Sequence, residues 1–113
     1  MPSREEFVRQ AAAAFAAGDY EASRALALEG LRSDPGDPDL LRLAGRSSLE
    51  LGREDAVLHL SALAARTPTD PRALLDLGFA HAAGGHVGEA ADVFAKIVEL
   101  ELELYDLKER DRT

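Results

Sequence analysis

An all-α array of stacked helical hairpins is predicted for this 113-residue chain by three observations. Gly18, Gly52 and Gly85 recur at intervals of 34 and 33 residues, each between two apolar helical patterns. Asp37-Pro38 and Asp70-Pro71 repeat one helix-start device: an aspartate that can accept from the first free amides, then a proline whose missing N–H costs nothing at the first helical position. The apolar payload is alanine and leucine, strong helix formers, while isoleucine, valine and threonine are too sparse for a sheet. A hairpin of this length cannot bury its own apolar face. It gains stability by stacking on its neighbours, which leaves one continuous surface for binding.

The first helix is expected to start at Ser3, with Glu6 three residues on completing a capping box. Phe7, Ala11, Ala14 and Phe15 share its inward face, and Gly18 and Asp19 break it. A second helix runs from about Tyr20 to Arg32 with Ser23, Leu26, Ala27 and Gly30 inward, until Asp34, Pro35 and Gly36 end it. From Pro38, Leu41, Ala44, Gly45 and Ser48 take the slots of Phe7, Gln10, Ala11 and Ala14; from Pro71, Leu74, Leu77, Gly78 and His81 take them. The small residues Ala11, Gly45 and Gly78 therefore align, and a small side chain there lets the two helices of a hairpin approach closely. The second helices align through Ser23, Ala56 and Ala90, then Ala27, Leu60 and Phe94, then Gly30, Leu63 and Ile97. The segment Ile97 to Leu107, IVELELELYDL, alternates as a strand does. Helix is preferred because Ile97, Leu100, Leu104 and Leu107 also fall on one helical stripe and no breaker precedes them.

This order of a large residue, a small one four later, glycine after seven more, then alanine or serine and a closing proline resembles the tetratricopeptide repeat. The resemblance covers about residues 4 to 104, in three repeats of about 4–37, 38–70 and 71–104 within a single domain 1–113, with a helical extension to about residue 110. The middle copy is one residue short between Gly52 and Ala56, and Leu102 stands where Pro35 and Pro68 close the earlier copies. Phe7, Leu41 and Leu74 occupy the family's tryptophan position, and Ala14, Ser48 and His81 its second tyrosine position. An unrelated alanine-rich bundle and other helical-hairpin repeats of similar period are the alternatives.

What the resemblance implies is a right-handed superhelical solenoid of antiparallel helix pairs that binds proteins or peptides, the first helix of each repeat lining a concave groove. Carried over, that groove comprises Glu5, Val8, Ala12, Phe15 and Ala16, then Asp39, Arg42, Arg46, Leu49 and Glu50, then Arg72, Leu75, Phe79, Ala82 and Ala83. Arg42 and Arg46, one turn apart, and Arg72 on the adjacent helix could converge on a carboxylate or acidic peptide segment. The competing reading is that Arg42 pairs with Asp39 and Arg46 with Glu50 at ordinary helical spacings. Family members that grip chaperone carboxyl termini share a clamp of lysine, asparagine and arginine. Here its slots hold Val8, Ala12, Leu43, Arg72 and Asp76, of which Arg72 alone is basic.

A second candidate surface is the carboxyl-terminal strip, Leu100, Leu104, Tyr105 and Leu107, with Leu102. No further helix follows to cover it, so it is expected to mediate self-association or dock on a partner, unless the helix folds back as core. The formal net charge of -8 opposes binding to nucleic acid or anionic membranes. Without cysteine there is no disulfide framework or thiolate site, and His59, His81 and His86 lack zinc-ligand spacing, so neither metal nor cofactor is expected. Ser47 and Ser48 have no predictable base, and the Gly84, Gly85, Gly88 cluster reads as a turn rather than a phosphate loop. Met1 to Glu6 lacks a signal-peptide pattern, and the apolar run Ala11 to Ala17 is far below the roughly 20 residues that span a bilayer. A cytoplasmic protein is expected, and arginine's dominance over lysine points to a bacterial source. The functional expectation is a non-catalytic adaptor or scaffold with a peptide in its groove. The alternative is a self-associating scaffold held by the leucine strip; an enzyme is the remote third class.

Overall fold

The computed structural model describes residues 2–111; Met1, Arg112 and Thr113, the ends of the expected domain, lie outside them. The described residues form six helices and no strand: α1 (Arg4–Ala16), α2 (Tyr20–Ser33), α3 (Pro38–Glu50), α4 (Asp55–Arg66), α5 (Pro71–Ala83) and α6 (Val87–Asp111). α1, α2, α3 and α5 start at side chains that satisfy orphan amides, whereas Glu54 makes no such bond at the start of α4. The Ser3 hydroxyl accepts from the Glu6 amide at 3.3 Å, and Asp19 from Ala22 at 3.1 Å. Asp37 accepts from Asp39 and Leu40 at 2.9 and 3.1 Å, and Asp70 from Arg72 at 3.0 Å.

The three reversals within hairpins are built alike. Gly18, Gly52 and Gly85 have φ of 80, 70 and 80°, the left-handed region that glycine enters without a Cβ penalty. Just beyond them the Asp19, Arg53 and His86 amides donate to the Ala14, Ser48 and His81 carbonyls at 2.9, 2.8 and 2.8 Å, closing the helix ends. The small-residue slot works as a notch for the facing helix. A Cβ on Gly45 would stand 2.5 Å from Leu60 Cγ and Cδ2, and one on Gly78 2.5 Å from Phe94 Cε1. In the first hairpin fully buried Ala11 fills the slot, and its carbonyl accepts from Ser23 Oγ at 2.8 Å.

Stacking follows the same logic. α2 packs on α3 and α4 on α5, around a core that includes Leu41, Leu60, Leu63, Leu74 and Leu77, with Ala11, Ala27 and Ala44 at the amino-terminal end. α1 also touches α3, and α3 touches α5, whereas the backbones of α2, α4 and α6 do not approach one another within 8 Å between Cα atoms. The first helices of the hairpins thus stand closer together and line the inside of the stack. Ambiguity at the carboxyl end resolves as helix: the 25-residue α6 runs back along the 13-residue α5 and overshoots its start by about three turns, roughly 16 Å.

Candidate functional site

The expected groove residues belong to α1, α3 and α5. Val8, Phe15 and Leu49 are half-buried, and Leu75 and Phe79 are exposed. Phe15 meets Tyr20 edge-on with ring centroids 5.1 Å apart, and Phe79 meets Phe94 at 5.8 Å, so both rings are braced from behind by the second helix of their hairpin. The Arg46 guanidinium lies 4.8 Å from the Phe15 ring centroid, a cation–π contact that links α3 to α1.

Neither local pairing expected for these arginines forms among the described residues. Asp39 is taken by Arg4 at 2.6 Å, and Arg4 also grips Asp37. Arg42 instead reaches across to Asp70 at 3.1 Å, so the carboxylate that caps α5 also ties α5 to α3. Arg72 is 82% exposed, with Asp70 at 4.0 Å. The three guanidiniums therefore have three environments: one tied across hairpins, one stacked on a ring and one turned to solvent.

A carboxylate already stands among them. Half-buried Asp76 lies in the field of Arg46, Arg42 and Arg72; burial pushes its carboxyl above the ordinary value, the arginines pull the other way, and Asp70 adds to the rise. Sequence reasoning met Asp76 only as a clamp slot. Its spacing of four from Arg72 was the available signal.

At the carboxyl end the expected strip divides. Leu100 is 8% exposed and belongs to the core, because α6 is still packed against the body there, so it is not available as a contact residue. Leu104, Tyr105 and Leu107 lie past that body and are exposed, as are Val98 and Leu102. Val98 was missed, although it precedes Leu102 by four and Tyr105 by seven, the spacing of one helical face.

A cleft of about 810 Å³ opens between the end of α3, α4 and the α5–α6 turn, lined by residues that include Leu49, Ala56, Val57, Leu58, Ala80 and Ala83. His86 is at its edge, with Nδ1 3.5 Å from that of His81. No group of three or more metal-ligating side chains is assembled among the described residues, and none of their helices is long and apolar enough to cross a membrane.

This geometry is that of a tetratricopeptide-like helical-hairpin stack, and comparison with known structures gives the same fold. A MamA double mutant (RS-1 ArsTM) superposes with a TM-score of 0.83 at 24% identity, over 89% of this chain and 57% of that one. A crystal structure of MamA protein gives 0.82 at 21%, over 92% and 57%. The chain thus spans a little over half the length of each MamA structure. No protein-family model and no curated protein sequence matches it.

Proposed function

We propose that this chain is a non-catalytic adaptor or scaffold of the bacterial cytoplasm that holds a peptide or protein segment against the inner face of α1, α3 and α5. The observation that carries this reading is an exposed, braced apolar surface with cations beside it. Leu75 and Phe79 are exposed, Phe15 lies under the Arg46 guanidinium, and Arg72 projects into solvent. Val8 and Leu49 extend the apolar floor, and the closer spacing of the first helices gives it concavity. Because Arg42 is held by Asp70, an acidic group on the partner is left with Arg46 and Arg72 as its receptors. The fold shared with MamA supports a binding role in general terms, since stacked hairpins present continuous surfaces.

The test is capture from a native bacterial lysate, read by mass spectrometry, with wild type and an Arg72→Glu/Leu75→Ser/Phe79→Ser bait side by side. Phe79→Ser removes the edge-on contact with Phe94, so a lower thermal midpoint is expected, and the capture is run at a temperature where circular dichroism shows both baits fully helical. A protein retained by the wild type and lost by the variant supports the groove; identical captures on both baits refute it. The exposed tail of α6, with Leu104, Tyr105 and Leu107, favours a second contact surface. Self-association through it is the alternative scaffold role.

A further inference from the structure

We propose that the outer face of the α6 tail is a docking strip for a basic amphipathic helix. The proposal rests on the reading of the chain as an interaction module but concerns a surface separate from the groove. α6 carries two apolar stripes. Ile97, Leu100, Leu104 and Leu107 continue the seam that packs on the core at Ile97 and Leu100. Val98, Leu102 and Tyr105, spaced by four and three, are 57, 59 and 60% exposed. Since a helix turns about 100° per residue, this second stripe lies on another side of α6 from the seam.

The borders of the strip are acidic. Glu101 is three residues after Val98 and four before Tyr105; Glu99 is three before Leu102 and Asp106 four after it. Each therefore stands beside the stripe on the helix surface, and all three are exposed. No lysine or arginine occurs between Lys96 and Lys108, and Lys96 is drawn to Glu99 at 3.6 Å. An apolar seam edged by carboxylates complements a helix whose own seam is edged by lysine or arginine. A second copy of this chain is the poorer occupant, because the same carboxylates would line both helices and each copy carries a net charge of -8. From Val98 to Tyr105 the strip is about 11 Å long, room for about two turns of a partner.

The experiment is fluorescence anisotropy with a labelled helical peptide of about five turns, leucines at three-four spacing and lysines on both flanks, beside a twin with glutamate for every lysine. Wild type is expected to bind the lysine peptide, to reject the glutamate twin and to lose affinity as salt rises. Leu102→Ser/Tyr105→Ser is expected to weaken binding about tenfold or more, and Glu101→Gln/Asp106→Gln to weaken it and flatten the salt dependence. These exposed positions should leave the thermal midpoint near that of wild type. Arg72→Glu, in the groove, should leave binding intact. Equal affinity for both peptides, binding of neither, or full retention by the Leu102→Ser/Tyr105→Ser variant overturns the proposal. Loss in Arg72→Glu alone moves the site to the groove, overturning this inference while sparing the adaptor reading. Wild-type dimers in sedimentation equilibrium that Leu102→Ser/Tyr105→Ser dissolves would assign the strip to a second copy and overturn it as well.

Discussion

Gly45→Ala is a substitution whose sign depends on one neighbour. On an open helix face it stabilises by about 0.8–1.0 kcal/mol, because alanine has less backbone freedom to lose. At this position the new Cβ would stand 2.5 Å from Leu60 Cγ and Cδ2, and Leu60 is completely buried. Overpacking of this kind costs about 1–3 kcal/mol, so the net effect in wild type is a loss of about 0–2 kcal/mol. In a Leu60→Ala background the obstructing atoms are gone. The added methyl then recovers the propensity term and, at about 24 cal/mol per Å³ of cavity filled, roughly another 0.5 kcal/mol. Gly45→Ala should therefore stabilise the Leu60→Ala protein by about 1–1.5 kcal/mol, a coupling of about 1–3 kcal/mol between the two sites. Urea unfolding followed by far-UV circular dichroism on all four proteins measures it. Because Leu60→Ala alone costs about 2–5 kcal/mol, the cycle is run with a stabilising osmolyte at fixed concentration. Equal effects of Gly45→Ala in both backgrounds, within about 0.5 kcal/mol, would refute the notch as the reason for glycine.

Two further predictions concern protons. Burial raises the Asp37 and Asp55 carboxyls, but Arg4 and the Leu40 and Asp39 amides outweigh it at Asp37, and Arg24, Ser48 and His59 at Asp55, so both titrate below the ordinary value of 3.8. Their stabilisation is present above the unfolded value and is lost as pH falls through the folded one. Thermal midpoints of wild type should thus drop more steeply below about pH 4 than those of Asp37→Asn/Asp55→Asn, and parallel profiles would contradict this. Asp76 has the opposite sign. Its raised folded value means that the charged form weakens the fold at neutral pH and the penalty vanishes in acid, so Asp76→Asn should raise the midpoint at pH 7 and leave it unchanged at pH 3. The same change removes a counter-charge from three arginines and should tighten binding of acidic peptides; an unchanged midpoint at pH 7 would count against the assigned environment.

What could be read from the chain was what local chemistry dictates. Asp37 and Asp70 cap their helices because a carboxylate before proline has amides within reach whatever the fold. Gly18, Gly52 and Gly85 adopt positive φ because the reversal demands it. The α6 helix prevailed over strand-like alternation because Ile97 and Leu100 had a core to pack on. The arginines were illegible for the complementary reason. Their partners lie across hairpins, 24 to 33 residues away for Arg4 with Asp37, Arg24 with Ser48 and Asp55, and Arg42 with Asp70, so spacing on one helix pointed to the wrong carboxylates. Leu100 was misplaced because periodicity identifies a stripe but not where the body beneath it ends.

The two junctions between hairpins differ in how many charged side chains tie them, which bears on how the proposed groove would work. At the first junction Arg24 of α2 donates to Asp55 at 2.6 Å and Ser48 at 3.0 Å, and Arg53 meets Glu21 at 3.0 Å. At the second, the repeat alignment puts Val57 in the place of Arg24 and His81 in that of Ser48, so no guanidinium takes the place of Arg24, and the 810 Å³ cleft opens there instead. Apolar packing and the Arg42–Asp70 pair carry this junction. Apolar contacts tolerate small rotations that a directional charge-assisted hydrogen bond resists. The third hairpin should therefore rock on the second, moving Arg72, Leu75 and Phe79 against α1 and α3, a motion that would let the proposed groove admit segments of different girth. Glu89 already stands in the slot of Asp55, so Val57→Arg/His81→Ser copies the first staple into the second junction. Slower amide exchange across α5 in that variant, with α1 and α2 unchanged, is the expected result. Identical exchange in α5 would mean that the missing staple does not govern the motion.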